Sequence, residues 1–504
     1  MRVETDHVQN INPNRNKGFW RGIILGKFSA PLVIGFALIL SLLLVFSMSG
    51  GNLIPSVLFI VAMVGIITVC GVVAYPRFGI IVLFLGAYLL FVPLKFPIDF
   101  PLGTLMDLLV YLLILGFFFS QKVKRDWKIF ADPLSILILA WILYNLAQVA
   151  NPASISGQAW MYTIRSIAGI LLTYYIFVFQ IRETSFIKLI FKLWICLAFI
   201  AACDGFKQEV FGFFDFEKTW LFSDPGRVEL YFQGGHMRKF SIMADPVAFG
   251  YNMASAATLC LALAFGPIKT YQKVVLVILA CFFLFTMLFS GTRGAFPLVP
   301  AALALFAVLN YNKRVLIFSL VVGVLFVFMI FVPTSNQNIL RFQTAFRPNE
   351  DQSYKARKIN QARIRPYIRS HPIGGGLGAT GVWGQRFAPG SFLASFPPDS
   401  GYVRVAVETG IIGLIMICTL IFVALLTGIN NFYLIKDPEL KNYCMAVTMV
   451  IFAYNVGNYP QEAIAQYPSS VIFVLCIALT RVTKILDDKK QLQLAAQTDE
   501  GQSN

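Results

Sequence analysis

Apolar runs of about twenty residues, separated by short polar connections, fill most of this chain, and each is long enough for one helical crossing of a lipid hydrocarbon core. They fall near 30–48, 53–74, 78–94, 102–120, 132–149, 163–180, 186–204, 247–266, 272–290, 293–310, 314–332, 403–427, 443–458 and 467–482. Backbone groups in lipid must be satisfied within the segment, so such runs are helices. The pattern predicts an all-α polytopic membrane protein of about 12–14 spans, those near 78–94, 293–310 and 443–458 being the shortest or most interrupted. Composition agrees: 57% of the 504 residues are hydrophobic and 13% charged, more apolar surface than a soluble domain buries.

Lys and Arg gather on cytoplasmic connections, and this sets the orientation. Arg2, Arg15, Lys17, Arg21 and Lys27 in the tail and Lys122, Lys124, Arg125 and Lys128 near 121–131 belong in the cytoplasm. Fourteen spans put Arg182, Lys188, Lys269, Lys273, Lys313, Arg314, Lys436, Lys441, Arg481, Lys484, Lys489 and Lys490 on the same side. The expected order is a cytoplasmic tail (1–29), spans one to seven (30–204), an outward segment (205–246), spans eight to eleven (247–332), a large outward loop (333–402), spans twelve to fourteen (403–482) and a cytoplasmic tail (483–504). A retained first span fits residues 30–48 better than a cleaved signal, since no small-residue cleavage site follows.

The net charge of +16 names no partner in a membrane chain and does not call for nucleic acid. The eight cysteines lie in or beside apolar runs without metal or disulfide spacing and read as packing residues. His236 and His371, the outward histidines, have no metal-ligand partner at a recognised spacing, so no metal site is expected. Neither a Walker lysine nor a nucleophile elbow is present, which argues against an ATP-driven pump.

The outward loops carry the unusual charge. Residues 333–400 hold nine Lys or Arg against three acids. Long loops translocate regardless of charge; the other reading is an anionic ligand at the outer face. Three arginines stand at outer helix ends: Arg165, Arg238, and Arg293 in the turn Ser290-Gly291-Thr292-Arg293-Gly294. Guanidinium donors match phosphate oxygens, so a converging set grips pyrophosphate, whereas snorkelling to the interface is the plain alternative.

The run His371 to Gly381 contains a formal dinucleotide fingerprint at Gly376, Gly378 and Gly381, but no strand precedes it, and that reading fails. Its glycines either present N–H groups to an anion or permit a tight path. Asp399, Arg404 and Glu408 enter the twelfth span; the last two are one turn apart and can pair. Asp399 is either a helix cap or a carboxylate that takes a proton from an acceptor hydroxyl.

Arg165, the segment Arg238-Lys239-Phe240-Ser241 with Asp245-Pro246, the Ser-Gly-Thr-Arg-Gly turn at 290–294, the glycine run at 372–378, and Asp399-Ser400 spaced nine residues before Gly410-Ile411-Ile412-Gly413 together resemble the O-antigen ligase and polymerase superfamily. The similarity runs over roughly residues 160–430. It implies a GT-C-like helical fold and an inverting, metal-independent glycosyltransferase without cofactor, at the periplasmic face of a bacterial inner membrane. In that picture Arg165, Arg238 and Arg293 hold the pyrophosphate of an undecaprenyl-linked glycan donor. Asp399, or His371, receives the acceptor's proton. Basic residues of 355–369, Arg357 and Arg363 among them, bind donor or close a lid, with Arg404 and Glu408 as further candidates. Membrane lipid and other polysaccharide assembly proteins are the expected neighbours. The acceptor is a glycan or a lipid A core, and because Asp399 stands where the ligases carry His, chain polymerisation or exopolysaccharide assembly is favoured. A lipid-linked oligosaccharide flippase is the rival, but such transporters show related halves and no internal repeat is visible. A non-catalytic assembly scaffold would have little use for arginines at three helix ends.

The string Glu229-Leu230-Tyr231-Phe232-Gln233-Gly234-Gly235-His236-Met237 looks like part of a protease-cleavage tag, yet it is flanked by family-like sequence and is read as native.

Overall fold

The computed structural model describes residues 53–502 apart from 97–101, 125–126, 234, 312, 336–339, 341, 344–345 and 347–351, so the first span expected at 30–48 lies outside the described residues. Every apolar run expected from residue 53 onward is a helix. These are α1 (Leu53–Ala74), α2 (Pro76–Leu89), α3 (Leu102–Lys124), α4 (Pro133–Ala147), α5 (Gly157–Gln180) and α6 (Thr184–Val210). Two short helices, α7 (Asp215–Phe222) and α8 (Pro225–Tyr231), and a hairpin of β1 (Phe232–Gln233) and β2 (His236–Met237) come next. Then come α9 (Pro246–Ala264), α10 (Thr270–Phe289), α11 (Leu298–Leu309), α12 (Lys313–Phe331), α13 (Gln352–Ser370), α14 (Gly381–Phe387), α15 (Gly401–Leu434), α16 (Pro438–Gly457) and α17 (Ser469–Gln502).

Among the described residues, 8 helices are long and apolar enough to cross a membrane, and the chain is an all-α polytopic membrane protein. The shorter spans have visible causes. Residues Arg293–Ala295 form a 3-10 turn, so α11 begins only at Leu298. Helix α2 ends at Leu89, and Pro93–Lys95 continue as a separate 3-10 turn. The chain divides into two units at residue 70, within α1; the described part of the first is that helix, and all that follows concerns residues 71–504.

At the centre, α9 packs against α10, α16 and α11, while α17 packs against α16 and α5. Alanine, glycine and serine make up much of α9, letting neighbouring backbones approach closely where lipid supplies no hydrophobic drive. Its polar groups are satisfied internally: Asn252 Oδ1 accepts from the Tyr88 hydroxyl at 2.9 Å, the Tyr251 hydroxyl donates to Gly457 O at 2.9 Å, and Thr258 bonds back to Ala254 O. All eight cysteines are free thiols, three of them (Cys260, Cys444 and Cys476) buried in this core.

The two long segments are folded. In the first, Leu221, Tyr231 and Phe240 make a small core, and the tag-like string is part of it through buried Tyr231, whose hydroxyl donates to Ala244 O at 2.8 Å. In the second, Ile364, Leu393, Phe396 and Val407 pin α13 onto the start of α15.

Candidate active site

Helix α15 is two helices joined at Gly410, whose φ of 74° suits glycine and breaks the hydrogen-bond ladder. The carbonyls released there find donors: Val407 O accepts from Gly375 N at 2.9 Å, Glu408 O from Gly376 N at 3.0 Å, and Thr409 O from the Tyr144 hydroxyl at 2.7 Å. In return, Ile412 N donates to Pro372 O. The fit leaves no room for side chains: a Cβ on Gly410 would sit 2.0 Å from Pro372 O, and one on Gly374 would sit 2.4 Å from Glu408 O.

Glu408, 3% exposed, completes this joint. Its carboxylate accepts from Gly378 N at 3.1 Å, Thr380 N at 3.3 Å, the Thr380 hydroxyl, and Arg404 Nε at 3.1 Å. The glycine run therefore does both things its sequence allowed. It takes a tight path, and it presents N–H groups to an anion, but that anion is the chain's own Glu408.

Arg404 turns its other arm to Glu462, with Nη1 2.6 Å from Oε2. Glu462 lies in the turn 458–468 between α16 and α17, which sequence reasoning passed over because its partner is 58 residues away. Burial pushes the Glu462 carboxyl above the usual carboxylate range against the pull of Arg404; Glu408 and Asp245 push the same way. The same turn is a junction. Its Pro460 O accepts from Arg357 at 3.1 Å, and its Asn458 O accepts from Gly401 N at 3.0 Å. Gly294, next to Arg293, lies so close that a Cβ would be 3.2 Å from Pro460 Cγ and 2.7 Å from the Tyr251 hydroxyl.

Arg238 is buried on the Arg293 turn, donating through Nε to Ser290 O at 2.9 Å and through Nη2 to Thr292 Oγ1 at 3.0 Å. Thr292 in turn donates to Pro246 O at 2.9 Å. The irregular segment 238–241, which turns at Ser241 with φ 54°, is held by side chains: Gln208 Oε1 accepts from Ser241 N at 2.9 Å, its amide donates to Glu217 at 2.7 Å, and Lys95 donates to Ser241 O. Arg238 and Arg293 thus share one turn, and turn 458–468 joins them to Arg357 and Arg404.

Arg165 is held elsewhere. Its guanidinium lies over the Tyr162 ring at 4.7 Å, and Nε is 3.0 Å from Asp107 Oδ2. That contact is ionic without an aligned hydrogen bond, so a buried Nε–H has no hydrogen-bond partner among the described residues. Asp107 also acts electrostatically on Tyr467, at the far end of turn 458–468.

Asp399 is half-buried, and its Oδ2 accepts from Asn360 of α13 at 3.3 Å. It does not cap α15; the N-cap is Ser400, and no side chain bonds the first turn. Ser400 and Gly401 both reach Asn458 O, so Asp399 adjoins the turn that gathers Arg357, Arg404 and the Arg293 loop. His371 lies about three helical turns from Asn360. Its ring stacks on Tyr367 at 4.0 Å, with Nδ1 2.9 Å from Ser370 Oγ. Arg363 lies over Phe392 at 5.2 Å. Among the described residues, no three of His, Cys, Asp and Glu converge as metal ligands.

Residues 275–418 match the family model described as O-antigen ligase. The match starts in α10, takes in the Arg293 turn, α13, the glycine run and Asp399, and ends in α15 beyond the Gly410 break. Arg165, Arg238 and Glu462 lie outside it. No curated protein matches the chain.

Proposed function

We propose that this chain, whose residues 275–418 match the O-antigen ligase family model, transfers a glycan from undecaprenyl pyrophosphate to an acceptor sugar hydroxyl at the periplasmic face of a bacterial inner membrane. The observation that carries this reading is the junction at 458–468, beside which Arg293, Arg357, Arg404 and Asp399 are gathered, with Arg238 bonded to the Arg293 turn.

The acceptor hydroxyl attacks the anomeric carbon from the side opposite the pyrophosphate and inverts it. A new C–O bond forms, the bond to the pyrophosphate oxygen breaks, and Asp399 receives the hydroxyl proton. Charge grows on the departing lipid pyrophosphate, where Arg238 and Arg293 supply fixed donors and Arg165, ion-paired with Asp107, adds positive charge. Arg404 and Glu408 hold the glycine run and turn 458–468 in place rather than touching substrate. No step in this scheme draws on a metal or cofactor. An acceptor that is itself a lipid-linked glycan, giving chain growth for O-antigen or exopolysaccharide, suits an aspartate at 399.

Purified protein supplied with lipid-linked donor tests the reading. Arg238→Ala should lower product formation by about 10²–10³-fold, the scale of losing one preorganised donor, and Asp399→Asn should lower it comparably with the fold unchanged. Full activity in both variants, or movement of donor between leaflets without a new glycosidic bond, would overturn it.

A further inference from the structure

Helix α13 has two faces of opposite character. Its inner face carries Arg357 to Pro460 O, Asn360 to Asp399, and Ile364, Tyr367 and Ile368 into the core made with Leu393, Phe396 and Val407. Its other face is cationic. Lys355, Lys358, Arg365 and Arg369 are all exposed and recur at helical spacing, a stripe about 21 Å long at 1.5 Å per residue. Among the described residues, none of the four has a carboxylate within ion-pair distance. Over residues 352–400 seven Lys or Arg face a single acid, Asp399.

By helical spacing these four lie on the face of α13 opposite Arg357, the residue that reaches turn 458–468, so they are not part of the arginine cluster gathered there. An exposed, unneutralised stripe attracts an extended polyanion by complementarity of charge. A membrane surface is the weaker fit: an interfacial helix sinks a continuous apolar face into lipid, whereas Ile364, Tyr367 and Ile368 are packed in protein and the exposed Tyr354 and Ile359 form no such face. Arg363, exposed and lying over the ring of Phe392, adds a further cation to this helix.

We propose that the outward stripe of α13 binds an acidic polysaccharide, a glycan with carboxylate or phosphate groups along its length, and guides it past Asp399. This rests on the glycan-transfer reading above. The helix connects the two: Asn360 on its inner face touches Asp399, so a chain held on the outer face lies one helix diameter from the candidate base.

The test uses the full-length protein in neutral detergent with fluorescent polyuronate oligomers, dextran of matched length, and phosphatidylglycerol vesicles. Polyuronate should bind and dextran should not, and the affinity should fall steeply between about 0.05 and 0.5 M salt. K355S/K358S/R365S/R369S should weaken polyuronate binding at least tenfold without changing thermal stability. Arg238→Ala should keep polyuronate binding while losing transfer, and if it kept transfer the catalytic reading alone would fail. Absence of polyuronate binding, insensitivity of wild-type binding to salt, unchanged affinity in the fourfold variant, or capture of vesicles without polyuronate would each overturn the proposal.

Discussion

Arg165 and Arg404 both stand early in a long apolar helix, α5 and α15, yet their surroundings differ. Arg404 lies between two carboxylates, Glu408 at 3.1 Å and Glu462 at 2.6 Å, with a donor aimed at each. Arg165 meets one carboxylate, Asp107, at 3.0 Å and keeps a buried Nε–H without a hydrogen-bond partner among the described residues. A buried donor left without an aligned acceptor is costly. The contrast separates an arginine that builds the site from one that can serve it. Arg165 is not at the helix end the sequence suggested, because α5 starts at Gly157 and makes it the ninth residue, whereas Arg404 is the fourth of α15; what separates their roles is the number and aim of the acids around them.

The largest test strikes the joint that Arg404 supports. Gly410→Ala puts alanine at φ 74° with its Cβ 2.0 Å from Pro372 O, so the protein should fail to accumulate in the membrane. Normal yield and a monodisperse gel-filtration profile would show that the broken helix is dispensable. Next, Arg404→Ala leaves Glu408 buried without its cation and should lower stability by about 3 kcal/mol, read as a fall in melting temperature. Arg165→Ala should do the reverse: a smaller stability loss than Arg404→Ala, since the carboxylate it strands, Asp107, is 12% exposed against 3% for Glu408, but turnover down about 10²-fold with lipid-linked donor. If the two variants exchanged phenotypes, the division between builder and binder would be gone.

The smallest effect concerns Glu462. Because burial holds its carboxyl above the ordinary value of 4.5, the folded protein binds the carboxyl proton more tightly than the unfolded chain does. Its contribution to stability is complete below pH 4.5 and declines as pH rises through the folded value. Glu462→Gln keeps a hydrogen-bonding group near Arg404 but does not titrate. Melting temperatures of the variant should therefore lose less than wild type from pH 4.5 upward. A steeper decline in the variant would mean that ionised Glu462 is the stabilising form.

Part of this was written locally. The apolar runs from residue 53 onward all became helices because lipid leaves the backbone little alternative, and the Arg404–Glu408 pair followed from i, i+4 spacing. Glu462 was not legible, since nothing near it in the chain signals an arginine 58 residues earlier. The glycine run carried an ambiguous signal: φ values of 80°, 99°, 79° and 66° at Gly374, Gly376, Gly378 and Gly381 agree with a tight path, but which anion its N–H groups meet depends on α15. Asp399 was equally a cap or a base on paper; the helix start at Ser400, bonded to Asn458 O, took the cap role from it.

The sequence by itself determined the membrane class, the helices and the supply of arginines, because length, apolarity and residue type act over a few turns of chain. Tertiary structure alone decided which arginines meet. Arg238 lies on the 290–294 turn and Arg404 reaches Glu462 only because α9, α10, α16 and α17 pack as they do, and contacts between distant segments are set by that packing rather than by local spacing.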